Sequence, residues 1–200
     1  MNQLQANFIV GEYTLINFIN LPELNLLEIL EWRNEEQTRR WMKNSQIIPK
    51  VQHLQYCENL KNTQSVGHWL VKFENNGIGV ISLNSIDFKE RFCEWGFYLN
   101  PKYFLGDAAL RIFNTAEQLF FENFDLLKLI GSVKVKNRSA RMLNDFFGMK
   151  EVNRFFIDSE EYSYREIIRS TWIERPITDR NLKTEFAQFI KNNYRNENRK

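Results

Sequence analysis

The run from Glu94 to Asn144 limits the fold of this chain more than any other stretch. An alternating segment, Glu94-Trp95-Gly96-Phe97-Tyr98-Leu99, ends on Asn100-Pro101 and leads into a short turn, Tyr103-Phe104-Leu105-Gly106-Asp107-Ala108. Beyond it Ala109, Ile112, Phe113, Ala116, Leu119, Phe120 and Phe124 recur at three- and four-residue steps. That period predicts an amphipathic helix over 107–124. Positions 128–135 read as a strand and 138–147 as a second helix, with Gly148 as its C-cap. Strand, turn, helix, strand, helix in this order predicts a mixed α/β sheet with helices on both faces.

The flanking segments extend that sheet. Positions 8–18 alternate loosely and read as a first strand. Pro22 opens a helix carrying Leu24, Leu26, Leu27, Ile29, Leu30 and Trp32, which breaks at Asn34-Glu35. A short second helix is predicted through Arg39, Arg40, Trp41 and Met42, and after Pro49 a third over 52–61. Positions 69–73, 78–86 and 92–99 form an antiparallel meander, the first turn supplied by Asn75-Asn76-Gly77. Positions 149–156 and 163–170 close the sheet as a pair. The predicted domain spans 1–171. A tail, 172–200, holds a helix over 183–192 that either packs back on the domain or mediates assembly, so a homodimer stays open.

Composition excludes several functions. The 27 basic and 25 acidic residues are interleaved, so no clustered basic face argues for nucleic acid. The two cysteines, Cys57 and Cys93, have no metal-like spacing and read as free thiols in a reducing compartment. There is no signal-peptide pattern and no apolar run long enough for a membrane span, which predicts a cytoplasmic protein. With two histidines, a histidine-rich metal site is excluded, and no metal is expected. The nucleophile elbow, the phosphate-binding Walker loop and the dinucleotide glycine motif are all missing.

A few positions could carry chemistry. At Leu105 to Ala109 a helix N-terminus presents unpaired N–H groups to a phosphate, and Gly106 allows close approach. The alternative is a loop glycine before a helix capped by Asp107. Glu94 shares one strand face with Gly96, while Cys93, Trp95 and Phe97 share the other. A carboxylate buried there would have a raised pKa suited to a general base; the alternative is an ion pair at a sheet edge. Arg33, Arg39 and Arg40, beside Trp32 and Trp41, suit a phosphate and a base, yet by spacing alone they suit helix packing better. His53 reads as a surface or capping histidine more readily than a catalytic one. His68 receives no role.

Taken together, these residues resemble a GNAT-superfamily N-acetyltransferase over about 8–170. The blocks Trp32-Arg33-Asn34, Arg40-Trp41-Met42, His53-Leu54-Gln55-Tyr56, Ile86-Asp87-Phe88 and Trp95 to Pro101 are similar to the pseudaminic-acid-pathway UDP-amino-sugar N-acetyltransferases in particular. The resemblance implies a mostly antiparallel sheet splayed between the strands ending at Leu99 and Val135, with acetyl-CoA in the gap. Phe97, Tyr98 and Leu99 would hold the pantetheine. Leu105, Gly106, Asp107, Ala108 and Ala109 would hold the pyrophosphate, and Asn137 the cofactor arm, with Asn144 beside it. Arg33, His53, Asn84, Ser85 and Tyr98 would line a nucleotide-sugar pocket. Glu94 or His53 would take the proton of the sugar 4-amine, in direct transfer within a ternary complex and without a covalent enzyme intermediate.

The chain departs from the family pattern twice. Tyr103 stands where the glycine-rich turn usually opens with Gln or Arg. Asn144 stands where many relatives carry the tyrosine that protonates the leaving thiolate. Two alternatives follow: a ribosomal-protein-type N-terminal acetyltransferase, which shares the Trp-Arg-Asn block, and a non-catalytic acyl-CoA-binding module.

Overall fold

The computed structural model describes residues 3–175 and 181–194. Eight strands form one sheet: β1 (Phe8–Val10), β2 (Tyr13–Asn17), β3 (Gly67–Phe73), β4 (Asn76–Asp87), β5 (Phe92–Leu99), β6 (Lys128–Lys134), β7 (Lys150–Ile157) and β8 (Glu160–Ile168), in the spatial order β1-β2-β3-β4-β5-β6-β8-β7. Every neighbouring pair is antiparallel except β5 and β6. Those two are parallel because α4 (Ala108–Gln118) crosses over between them. The first strand expected over 8–18 is instead a hairpin, because Gly11 at φ +56° turns the chain between Val10 and Tyr13.

Helices α1 (Glu23–Asn34), α2 (Glu36–Arg39) and α3 (Lys50–Asn59) join β2 to β3. The second helix thus ends where it was expected to begin, and Arg40, Trp41 and Met42 belong to the following loop. The long predicted helix is α4 followed by a π-helical turn, Leu119–Asn123, which seats Leu119, Phe120 and Phe121 in the core. The chain continues through α5 (Arg138–Phe146), α6 (Arg169–Ile173) and α7 (Leu182–Asn193). Of the tail, residues 176–180 and 195–200 lie outside the described residues.

Strand alternation divides the core in two. Trp69, Val71, Ile81, Leu83, Cys93 and Trp95 pack against α4 and α5. Leu70, Val80 and Tyr98 face the other way, onto Phe18, Ile29, Trp32 and Cys57 of the α1–α3 layer. Trp95 anchors the first layer edge-on to Phe113 at 4.8 Å, and Phe113 stacks on Phe147 at 4.2 Å. A buried pair ties on the C-terminal segment. Arg175 reaches the wholly buried Glu117 with two nitrogens and donates to the Phe147 carbonyl at 2.7 Å. Both cysteines are buried and free. Among the described residues no helix is long and apolar enough to cross a membrane.

Candidate acyl-transfer site

The parallel pairing of β5 and β6 covers three residue pairs, Phe92 with Lys128, Cys93 with Leu129 and Glu94 with Ile130, and then stops. Beyond Glu94 the strands diverge. The β6-facing backbone groups of residues 95–99 therefore have no strand partner. The gap opens into a cleft of about 1100 Å³ that runs from the turn before α4, past α5, to the α1–α3 layer. Strands splayed this way expose main-chain donors and acceptors that only a ligand or water can satisfy.

At one end lies the turn into α4. Gly106 sits at φ +136°, a conformation that side chains disfavour, and a Cβ there would meet nothing within 4 Å. Leu105, Gly106 and Ala109 line the cleft; Asp107 and Ala108 do not. Asp107 makes no side-chain cap. Its carboxylate pairs with Arg111 at 3.1 Å, one helical turn on, and Arg111 is also held by the Tyr13 hydroxyl at 3.0 Å. The negative charge is thus tied to α4's own side chain. On the facing helix, Asn137 caps α5 by accepting from the Ala140 N–H at 3.1 Å. Asn137 and the buried Asn144 both border the cleft, as do Phe97, Tyr98 and Leu99 on β5.

At the other end, Arg33 leaves the last turn of α1. It is fixed by the loop that Asn34 pins through two bonds to Ile48, at 2.8 and 2.9 Å. One terminal nitrogen of Arg33 donates to the Asn44 carbonyl at 2.6 Å; the other, Nη1, is buried with no hydrogen-bond partner among the described residues. Burial pulls the Arg33 pKa down, against the opposing influence of Tyr98. Burial pushes the Tyr98 phenol up, so it remains a neutral donor. Arg33, Arg40, Lys43 and Lys134 line the cleft, against Glu94 as its one carboxylate among the described residues.

Glu94 is half-buried, not enclosed. Its Oε1 accepts from Lys43 Nζ at 2.5 Å and from the Ser132 hydroxyl at 3.3 Å. The burial expected from the sequence is partial, and a lysine from the α2–α3 loop accounts for the charge. Across the strand pair, Glu94 faces Asn84, which lines the cleft. Ser85 sits in a bulge at φ +55°, exposed and outside the lining.

His53 is buried, not a surface residue. Its Nε2 lies 2.9 Å from the Leu26 carbonyl, which places the neutral ring's proton on Nε2 and leaves Nδ1 as the basic atom. Burial lowers its pKa. Sequence reasoning passed over the next layer. The buried His68 bridges the Tyr56 hydroxyl at 2.6 Å and the Ser82 hydroxyl at 2.9 Å, and burial, aided by His53, pushes its pKa down to about 4. All three residues line the cleft. His53, Tyr56 and Cys57 stand at three- and four-residue steps on α3 and share a helical face, but nothing in the sequence joins that face to His68 or Ser82.

Comparison with known proteins accords with this geometry. The acetyltransferase (GNAT) domain family matches residues 16–150. The chain is 30% identical over 156 residues to acetyltransferase PseH of Campylobacter jejuni serotype O:23/36, covering 76% of this chain and 92% of that protein. The solved Campylobacter jejuni N-acetyltransferase PseH in complex with acetyl coenzyme A superposes with a TM-score of 0.62 at 22% identity, over 78% of this chain and 99% of that one. A Vibrio cholerae spermidine N-acetyltransferase in complex with CoA and spermine gives 0.71 at 20% identity, over 82% and 99%. The splayed strands, the open turn at Gly106 and the Asn137-capped helix fit the thioester carrier. This chain belongs to the GNAT acetyltransferase family and is an acetyl-CoA-dependent N-acetyltransferase.

Proposed function

We propose that the acceptor is the 4-amino group of a UDP-linked amino-deoxy sugar, similar to UDP-4-amino-4,6-dideoxy-N-acetyl-altrosamine. One observation carries the reading. The acceptor half of the cleft is cationic, and Arg33 there keeps a buried N–H without a partner among the described residues. An orphaned buried donor is costly unless a ligand satisfies it, and a guanidinium meets a phosphate with two parallel bonds. Arg33 lies across the cleft from the turn at Gly106, so the cofactor's pyrophosphate has its own donors. A polyamine, or the free amine of a basic peptide, would meet repulsion from Arg33, Arg40, Lys43 and Lys134.

The residues divide the work as follows. The free β5 edge beyond Glu94 and the N–H groups at the start of α4 hold and orient the acetyl donor. The Asn137 oxygen is occupied by its cap, so its amide nitrogen is the group offered to the pantetheine. Backbone N–H groups of β5 polarise the thioester carbonyl. Glu94 takes the amine proton, with His53 Nδ1 as the second candidate. Tyr98 orients the acceptor with its protonated hydroxyl.

Steady-state thiol release with a panel of 4-amino nucleotide sugars, polyamines and peptides tests the reading. Replacing Arg33→Met should raise the nucleotide-sugar KM about 10- to 100-fold, the scale of one charge-assisted hydrogen bond, and leave the acetyl-CoA KM unchanged. Turnover of peptides or polyamines alone would overturn it.

A further inference from the structure

Helix α7 lies beyond the family-matched segment, which ends at residue 150, yet one of its side chains reaches the cleft. Leu182 is buried, Phe189 packs on Phe146 with ring centroids 5.5 Å apart, and the Tyr194 hydroxyl donates to Asp145 on α5. These contacts fasten the helix across α4 and α5, the two elements that wall the cofactor end. Phe186 also meets Phe146, at 5.1 Å, and it alone among the described α7 residues lines the cleft. The lining from α4 and α5 is uncharged: Leu110, Phe113 and Leu143, with Ser139 and Asn144 beside them. That surface suits the uncharged pantetheine stretch of the cofactor and not its phosphates.

We infer that α7 completes the cofactor arm of the site and that Phe186 packs against the pantetheine of acetyl-CoA. This rests on the acetyl-CoA site alone and holds whatever the acceptor amine is. Phe189 supplies an internal control, because it rests on the same Phe146 ring without touching the cleft.

The test is equilibrium binding of CoA and acetyl-CoA, without acceptor, to the full chain. Phe186→Ala should weaken both about tenfold, as expected for losing roughly 50 Å² of apolar contact, and Phe189→Ala should stay within about twofold. Equal effects of the two variants, or unchanged affinity in Phe186→Ala, would overturn the inference. Should Phe186→Ala fail to fold, amide exchange in the unaltered protein decides. Saturating CoA should slow exchange across residues 182–193, and unchanged exchange there refutes a contact.

Discussion

His68 makes the acid stability of this protein a direct measure of how dry the inner cleft is. Four groups enclose its ring: Tyr56 and His53 from α3, the Ser82 hydroxyl from β4, and the Phe18 ring at 5.3 Å. None of them is a carboxylate, so none of these neighbours offsets a positive charge. Burial therefore takes the pKa from 6.5 to about 4. Between those values the unfolded chain binds a proton that the folded chain refuses. The contribution is intact above pH 6.5 and is lost as pH falls toward 4. The whole displacement corresponds to roughly 3 kcal/mol, of which about 2.5 kcal/mol is gone by about pH 4.5. For a chain of this size that is a fall in Tm of roughly 5–10 °C. Glu117, raised to about 7 by burial, works in the opposite sense over the same range, so the unaltered protein alone cannot isolate His68. Comparison with His68→Gln can, because Glu117 and His53 are common to both. At neutral pH the variant should be the less stable, having lost the geometry of two hydrogen bonds. As pH falls from about 7.5 to 4.5 the unaltered protein should lose about 2.5 kcal/mol more than the variant in urea denaturation. Parallel curves would mean that the imidazole takes up its proton in place, and that the inner cleft is wet.

Two further substitutions probe the cleft and its frame. A Cβ on Gly96 would meet nothing within 4 Å, and Gly96 lines the cleft opposite Ser82 on β4. Gly96→Ala should leave Tm within about 2 °C and cut acetyl transfer about tenfold or more by crowding the donor; full activity would place the acyl group elsewhere. Glu117→Ala leaves the Arg175 guanidinium buried without its counter-ion and should cost about 3 kcal/mol in urea denaturation, whereas a loss under about 1 kcal/mol would mean that water reaches the pair.

What could be read from the sequence follows the range of the forces involved. The helix after Gly106 announces itself because burial against one sheet imposes a 3.6-residue period, and the meander because alternation and turn residues are local. Asp107 looked like a helix cap by type. Arg111, one turn later, offers a full charge and takes the carboxylate instead. The Gly11 turn escaped notice because two short strands in a hairpin alternate much as one long strand does. Arg33 is the instructive case. Its spacing fits a dipole-stabilised helix end, and only the fold shows that one of its nitrogens is buried and unmatched. The triad of Tyr56, His68 and Ser82 is assembled from three elements, and Phe186 arrives from a helix forty residues past its contact on α5. Neither leaves a local pattern, because the constraint acts through space and not along the chain.

Glu94 is where sequence and structure bear most directly on the chemistry. Its carboxylate accepts from an ammonium, but that ammonium is Lys43, on a loop and half-exposed. An exposed ion pair of this kind contributes roughly 0–1 kcal/mol, so it is readily exchanged. Lys43 Nζ occupies the kind of position that a substrate ammonium would take to surrender its proton. If the pair is only structural, removing either partner should have the same small effect. If Glu94 is the base and Lys43 holds its place, the two replacements diverge. Glu94→Gln should lower kcat about 100-fold or more, the usual scale for losing a general base, while Lys43→Met stays within about threefold. Raising the pH should not rescue Glu94→Gln unless the substrate amine can lose its proton to solvent unaided. Matched, modest losses in the two variants would reduce Glu94 to a salt-bridge partner and shift the base to Nδ1 of His53, which also lines the cleft.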